Sequence, residues 1–520
     1  ESIIWLEQFL STYSGAVVIV SHDRMFLDNV TNRTIEISVG KIYDYPKPYT
    51  QFLELRKEMR ELQLASQKNQ EKKIQHTEKL IEKFRAKATK ASMAQSLMKK
   101  LDKIERIEVD EEDNAVMNVR FPVSVTPGKV VLEIDDVSKS YGEKEVLSHV
   151  SLLIERGSKV AFVGQNGQGK TTLAKMIVGE IPYEGTIRLG HNVQLAYFAQ
   201  NQADYLDGEL TVLDTMFNAA NDSNRTKIRD ILGAFLFRGD EVDKKVKVLS
   251  GGERNRLALA KMLLSDFNVM VMDEPTNHLD IESIIWLEQF LTTYSGAVVI
   301  VSHDRMFLDN VTNRTIEISV GKIYDYPKPY TQFLALRQEI REQQLASQKN
   351  QEKKIQQTEK LIEKFRAKAT KASMAQSLMK KLDKIERIEV DEEDNAVMNV
   401  RFPVSVTPGK VVLEIDDVSK NYGEKQVLSH VSLLVERGSK VAFVGQNGQG
   451  KTTLAKMIVS EIPYEGTIKL GHNVQLGYFA QNQADYLDGE LTVLDTMFNA
   501  ANDSNRMKIR DILGSFLFRG

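Results

Sequence analysis

Residues 159–172 read KVAFVGQNGQGKTT, an apolar run that enters a glycine-rich turn and leaves it at Lys170, Thr171 and Thr172. The run KVAFV has strand length, and TLAKMIV (172–178) carries helix-spaced apolar residues, so the spacing predicts strand, loop and helix. That context decides the fold as α/β of the nucleotide-binding kind. Gly164, Gly167 and Gly169, with Asn166 between them, let consecutive backbone N–H groups turn toward phosphate oxygens. The start of the helix adds its partial positive charge. Lys170 is placed to reach the outer phosphates of a nucleotide, and Thr171 to ligate Mg²⁺. The plain alternative is a Gly-rich turn that binds nothing; the flanking strand and helix weigh against it. The pattern recurs at 445–453 with Gly445, Asn447, Gly448, Gly450, Lys451, Thr452 and Thr453.

That recurrence is part of a larger one. Residues 1–239 align without gaps to residues 282–520 and differ at 14 positions. A solenoid unit is about 20–50 residues long, so an offset of 281 residues is a duplicated domain-sized block rather than a solenoid. The segment 240–281 occurs once. The opening ESIIWLEQFL returns at 282–291 directly after MDEPTNHLDI, so the chain is expected to begin partway through a domain. Trp5 and Trp286, on the apolar face of that helix, are expected in the core.

The bulk properties set limits. An apolar fraction of 42%, a charged fraction of 27% and a net charge of −3 describe an ordinary globular chain. Any nucleic-acid surface on it has to be local. The absence of cysteine removes disulfides, iron–sulfur clusters and cysteine zinc sites. No apolar run approaches the ~18 residues of a membrane span. A cytoplasmic protein is expected.

Two motifs fall in or beside the unrepeated segment. VMVMDEPTNHLD (269–280) puts Asp273 and Glu274 at the end of an apolar strand, about 100 residues after the phosphate loop. Asp273 is positioned to hold Mg²⁺ through water, and Glu274 to polarise an attacking water. An isolated acidic strand end is commonly a solvated loop; at this distance from a phosphate loop it is not. LSGGE (Leu249, Ser250, Gly251, Gly252, Glu253) opens a helix, with Ser250 and Glu253 in capping-box spacing and glycine N–H groups free for an anion.

In this order, the phosphate loop, YFAQ (197–200), LSGGE, VMVMDEPTNHLD and SHD (302–304) resemble an ATP-binding cassette of the ABC superfamily, in full over about 129–335. The resemblance implies ATP with Mg²⁺, and a signature LSGGE that covers the γ-phosphate held by a partner cassette. It further implies that Gln200 contacts the Mg²⁺ and γ-phosphate region, His303 the γ-phosphate, and that Asp280 links two sites. Tyr141, in KSYG, would stack on adenine. In the C-terminal copy the same resemblance implies ATP contacts from Tyr422 and Gln481, and a metal contact from Thr452.

Residues 56–106 carry 15 Lys or Arg against 7 Asp or Glu, on a pattern that predicts two helices broken near 88–92. The ordinary explanation is a solvated helical hairpin. Lys83, Arg85, Lys87, Lys90, Lys99 and Lys100 gather near its tip, as a phosphate-backbone contact requires. Two cassettes joined by a basic hairpin resemble the ABC-F family, which implies ribosome binding through rRNA and tRNA. The rivals are the ATPase subunit of a transporter and a DNA-binding relative.

The expected division is a cassette remnant at 1–50, helical linkers at 51–122 and 332–403, a complete cassette at 123–331, and the front of a cassette at 404–520. The fold class is thus a P-loop NTPase cassette, one complete and two partial, joined by basic helical hairpins. Neither composite ATP site is expected to be complete within the chain, so a second cassette, in cis or in trans, is needed.

Overall fold

The computed structural model describes residues 2–85, 125–142, 144–221, 224–237, 239–277, 279–366, 406–423, 425–480, 487–501 and 506–516, with isolated positions 98, 101, 379, 380, 382, 483 and 518. The chain divides into two compact units. Unit 1 takes residues 119–279 and 283–398; unit 2 takes residues 2–118, 280–282 and 399–520.

Helix Ser2–Thr12 leads to β1 (Val17–Val20), helix Arg24–Val30, β2 (Arg33–Ser38), β3 (Lys41–Tyr45) and the long helix Tyr49–Arg85. Then come β4 (Val130–Tyr141), β5 (Lys144–Glu155), β6 (Lys159–Val163), helix Lys170–Ile177, β7 (Glu184–Leu189) and β8 (Leu195–Phe198). Helices Val212–Ala219, Ile228–Ala234 and Gly251–Met262 precede β9 (Val269–Asp273). Helix Ile281–Thr293, β10 (Ala297–Val301), helix Arg305–Val311, β11 (Arg314–Ser319), β12 (Lys322–Tyr326) and helix Tyr330–Arg366 follow. The second copy supplies β13 (Val411–Tyr422), β14 (Lys425–Glu436), β15 (Lys440–Val444), helix Lys451–Ile458, β16 (Glu465–Leu470) and helices Val493–Ala500 and Ile509–Ser515.

Unit 1 is built on a sheet of order β12-β11-β6-β10-β9-β8. All neighbours are parallel except the β11–β12 hairpin. KVAFV, VMVMD and AVVIV are continuous apolar runs because parallel strands bury both faces. An antiparallel sheet β5-β4-β7 closes over the same core, in which Val131, Leu147, Phe162, Leu173, Val271 and Val299 meet.

Unit 2 repeats this plan from both ends of the chain. Its sheet runs β1-β15-β2-β3, with β1 parallel to β15 and Val17 opposite Lys440, as Val298 stands opposite Lys159 in unit 1. The residues expected as a cassette tail (1–50) therefore flank the phosphate-loop strand of the 404–520 segment.

The two copies diverge where β9 is concerned. Leu195–Phe198 is a strand because it pairs with Val269–Met272, and Phe198 is 2% exposed. Leu476–Phe479, altered only by Gly477 for Ala196, forms no strand, and Phe479 is 85% exposed. Trp286 is buried edge-on to Phe235 at 4.7 Å, as expected. Trp5 is only half-buried, stacked on Phe9 at 5.5 Å and edge-on to Phe516 at 5.7 Å.

Each long helix is pinned at its base. Tyr326 and Phe333 pack with ring centroids 4.9 Å apart and Arg337 meets Glu317 at 2.6 Å; Tyr45, Phe52, Arg56 and Glu36 repeat this in unit 2 at 4.9 and 2.7 Å. Lys83 and Arg85 belong to the final turn of helix Tyr49–Arg85. Lys87, Lys90, Lys99, Lys100 and the expected break at 88–92 lie outside the described residues.

Candidate nucleotide site

The site of unit 1 forms where β6, β9 and β10 end together. Adjacent parallel strands bring their C-terminal ends to one edge of the sheet, where ligands of open α/β sheets bind. Strand β6 delivers the loop 164–169, β9 delivers Asp273 and Glu274, and β10 delivers Ser302 and His303.

Glycine is required at two loop positions for different reasons. Gly164 has φ +151°, and a Cβ there would lie 2.3 Å from the carbonyl oxygen of Ile318. Gly167 has φ +80° and faces open space, so the loop backbone is approachable from outside. The Lys170 ammonium donates to the loop carbonyls of Gly164 (2.8 Å) and Gln165 (3.0 Å). Burial holds its pKa below the usual lysine value, against the pull of Glu274 and Asp273. Asn166 is exposed at the loop tip, and Thr172 is half-buried in the first helical turn.

Thr171 Oγ1 donates to Asp273 Oδ1 at 3.3 Å. Asp273 is buried, burial raises its pKa, and Oδ2 has no hydrogen-bond partner among the described residues. A buried carboxylate oxygen left unpaired costs free energy unless a cation or donor meets it, so Thr171 and Asp273 fit a Mg²⁺ ion. No group of three or more acidic or histidine side chains is assembled for a metal among the described residues. That suits an ion held by few protein ligands together with phosphate and water.

Glu274 sits at φ +50°, an unfavourable backbone angle for a residue with a side chain. Its N–H donates to the carbonyl of Val301 at 2.8 Å, which fixes the turn. The carboxyl is 8% exposed, and burial pushes its pKa up to about 7. The His303 backbone N–H donates to Glu274 Oε2 at 3.3 Å, and His303 Nε2 lies 3.6 Å from Oε1. The imidazole is 47% exposed, and partial desolvation together with the nearby Lys170 charge lowers its pKa and favours the neutral form.

The other expected residues are further spread. Gln200 is exposed, two residues past β8. Tyr141 ends β4 with its ring 52% exposed and the Lys139 ammonium 5.0 Å from its centroid. Tyr422 and Lys420 repeat this at 5.1 Å. Ser250 and Glu253 form a complete capping box on helix Gly251–Met262, with Leu249 buried before it and Gly252 buried within it. Gly251, exposed, begins that helix. Asp280 is buried just before helix Ile281–Thr293 and belongs to unit 2.

In unit 2 the second loop has the same form. Gly445 has φ +141°, Gly448 +81° and Gly450 +99°. Lys451 donates to Gly445 O and Gln446 O at 2.5 and 2.9 Å, and burial lowers its pKa to about 8. Asn447 and Thr453 are half-buried and Thr452 is exposed. Gln481 lies outside the described residues.

Two contributions are not legible in the motifs. Gln168 Oε1 accepts from the Val320 N–H at 2.9 Å, tying the loop to the β11–β12 turn, and Gln449 does the same with Val39. Asn255, an amide on the buried face of the signature helix, donates to the carbonyl of Asn277 at 3.1 Å and holds the turn after Glu274. A polar residue amid Leu257, Ala258 and Leu259 was the available signal for the second; the first has none.

A glycine-rich loop between strand and helix, an acidic pair and a histidine on one sheet edge, and a helix capped by Ser250 and Glu253 form the pattern of an ATP-binding cassette. Family models described as ABC transporter match residues 147–277 and 428–515, and residues 35–121 and 316–402. The chain is 35% identical over 437 residues to the Bacillus subtilis protein YdiF, covering 75% of this chain and 68% of that one. It is 38% identical over 358 residues to ABC transporter F family member 5 of Arabidopsis thaliana (68% and 52%), and 38% over 340 residues to YheS of Haemophilus influenzae (63% and 53%). A solved ATP-binding subunit of an ABC transporter aligns at 22% identity and a TM-score of 0.35, over 38% of this chain and 90% of that one. The chain belongs to the F family of ABC proteins. It spans about half the length of the plant relatives and of YheS. No described helix is long and apolar enough to cross a membrane.

Proposed function

We propose that the chain is a cytoplasmic ATPase of the ABC-F type that acts on the ribosome. The observation that carries the catalytic part is Glu274, a buried carboxyl with a pKa near 7, at the sheet edge that also bears Lys170, Asp273 and His303. A base with a pKa near the working pH is suited to take a proton from attacking water. In this reading the N–H groups of loop 164–169 bind the phosphates of ATP, and Lys170 leaves its carbonyl partners to meet the outer phosphates. Glu274 orients and deprotonates the water, and His303 holds the γ-phosphate. Thr171 and Asp273 would hold Mg²⁺, which supplies charge neutralisation for the phosphates when bound; Gln200 would line the same region. Tyr141 would stack on adenine.

Unit 2 would bind a second ATP through Lys451, Thr452, Thr453, Gln481 and Tyr422. LSGGE at 249–253 would cover a γ-phosphate presented by a partner cassette, with Asp280 in the linking loop. The basic linker, with Lys83, Arg85, Lys87, Lys90, Lys99 and Lys100, would contact rRNA or tRNA through the phosphate backbone.

The test compares the wild-type chain with Glu274→Gln for nucleotide affinity and phosphate release. Retained MgATP binding with turnover reduced by roughly 10²-fold or more is expected for loss of a general base. Equal turnover removes Glu274 from that role. Cosedimentation with ribosomes in the presence of ATP alone supports the translational reading; binding to naked duplex DNA replaces it.

A further inference from the structure

Strands β11 and β12 are joined by the two-residue loop Val320-Gly321, closed by the facing pair Ser319 and Lys322. Both loop residues have positive φ, +49° at Val320 and +77° at Gly321, the pattern of a type I′ hairpin turn. Such a turn favours Asn, Asp or Gly at its first position, and a β-branched residue there is a backbone outlier. Packing does not offset the strain, because Val320 is 60% exposed. Hydrogen bonds hold the turn from both ends instead. The Val320 N–H donates to Gln168 Oε1 at 2.9 Å, and the Gly321 carbonyl accepts from the Ser148 N–H at 2.8 Å. Unit 2 has the same arrangement. Val39 lies at φ +47° and Gly40 at +75°; the Val39 N–H donates to Gln449 Oε1 at 2.9 Å, and the Ser429 N–H to the Gly40 carbonyl at 2.8 Å.

The turn bears directly on the phosphate loop. Strand β11 pairs with β6 as far as Glu317 opposite Val163, and the Ile318 carbonyl that follows is the group a Cβ on Gly164 would strike. The loop therefore starts seated against the last residues of β11, two positions before the turn. If Val320 relaxed to negative φ, the turn would lose the twist that matches its strands and their ends would splay. The Ile318 carbonyl would then shift beneath Gly164. Gln168, four residues on in the same loop, is the side chain that opposes this.

We propose that Gln168, given the nucleotide reading of loop 164–169 on which this rests, is a positioning residue for that loop. Its amide oxygen keeps the Val320-Gly321 turn left-handed, and the turn keeps the loop in the shape that accepts the phosphate chain. Valine makes that shape conditional on Gln168, where glycine would hold it unaided. Without the acceptor, the turn loses population on the order of tenfold, the scale set by a left-handed residue that carries a side chain. Gln449 and Val39 do the same for loop 445–450.

The test is a double-mutant cycle in the full chain, with unit 2 disabled by Lys451→Ala and the Kd of AMPPNP with Mg²⁺ measured by equilibrium dialysis, so that turnover plays no part. Gln168→Met keeps the length of the side chain and removes the acceptor. It is expected to raise Kd about tenfold when residue 320 is valine, and less than about twofold when Val320→Gly is also present. That rescue separates positioning through the turn from any other role of Gln168. If Gln168→Met also weakens folding, the urea midpoint of unit 1 is expected to show the same rescue by Val320→Gly. Equal Kd for Gln168→Met and the parent chain overturns the proposal. A loss of the same size in both backgrounds also overturns it, because Gln168 would then touch the nucleotide or pack the loop without the turn. Failure of the parent chain itself to bind the nucleotide would refute the phosphate-site reading, and the proposal with it.

Discussion

Phe198 and Phe479 offer a test in which a single residue type is removed from two nearly identical sequence contexts. Phe198 is 2% exposed on the strand beside β9; Phe479 is 85% exposed. Phe198→Ala deletes a buried ring and leaves a cavity that the sheet relaxes into only partly, a loss of about 3–5 kcal/mol in unit 1. Phe479→Ala removes a ring already in water and should change unit 2 by no more than about 0.5 kcal/mol. Hydrogen exchange by mass spectrometry can read the two units separately. Peptides over 145–163 and 426–444 contain the central strands β6 and β15 and differ at Glu145/Gln426 and Ile154/Val435. A loss of 3–5 kcal/mol accelerates global exchange in 145–163 by roughly two to four orders of magnitude, at about 1.4 kcal/mol per tenfold. Exchange in 426–444 stays within a few-fold for Phe479→Ala. Equal effects of the two substitutions, or no effect of Phe198→Ala, would refute the assignment of β9 as the element that orders this region.

The pKa of Glu274 gives two further predictions. Acting as a carboxylate base, it makes kcat/KM for ATP, which reports the nucleotide-free enzyme, rise with pH through about 7 and level off above, and Glu274→Gln abolishes that limb of the profile. Because the folded pKa (about 7) exceeds the ordinary glutamate value of 4.5, the folded state binds the proton more tightly. Its stabilising contribution is complete below pH 4.5 and is lost as pH rises to 7, by on the order of 3 kcal/mol. Denaturant melts of unit 1 at pH 8 should therefore find Glu274→Gln more stable than wild type, a difference that shrinks toward pH 5. Gly164→Ala would drive a Cβ to 2.3 Å from the Ile318 carbonyl and should abolish nucleotide binding in unit 1, measured by equilibrium dialysis with unit 2 disabled by Lys451→Ala. Ser250→Ala removes one half of a capping box and should cost unit 1 about 1 kcal/mol in a urea titration.

The parts of this molecule that were legible in the sequence are those whose chemistry is local. The loop 164–172 states its own strand, turn and helix, and Asp273 and Glu274 state the end of a strand by the apolar run before them. LSGGE was legible as a helix cap, and the capping box of Ser250 and Glu253 bears that reading out. The contributions that arise from tertiary contact were not. Nothing in GQNGQG indicates that Gln168 would reach the Val320 amide, because that partner is 152 residues away. Nor does YFAQ disclose that one copy is a strand and the other is not. The single change from Ala196 to Gly477 is too small a cause, and the decisive difference is whether β9 lies alongside.

The behaviour of Leu195–Phe198 carries a consequence for the order of folding. A segment whose near-twin stays irregular without β9 has too little intrinsic strand preference to form early. In unit 1, β8 must therefore assemble after β9 has docked beside β10, and contacts of Phe198 should be absent from the rate-limiting transition state. Substitutions there would speed unfolding and leave the folding rate nearly unchanged, which makes this edge of the sheet the last to close and the first to open.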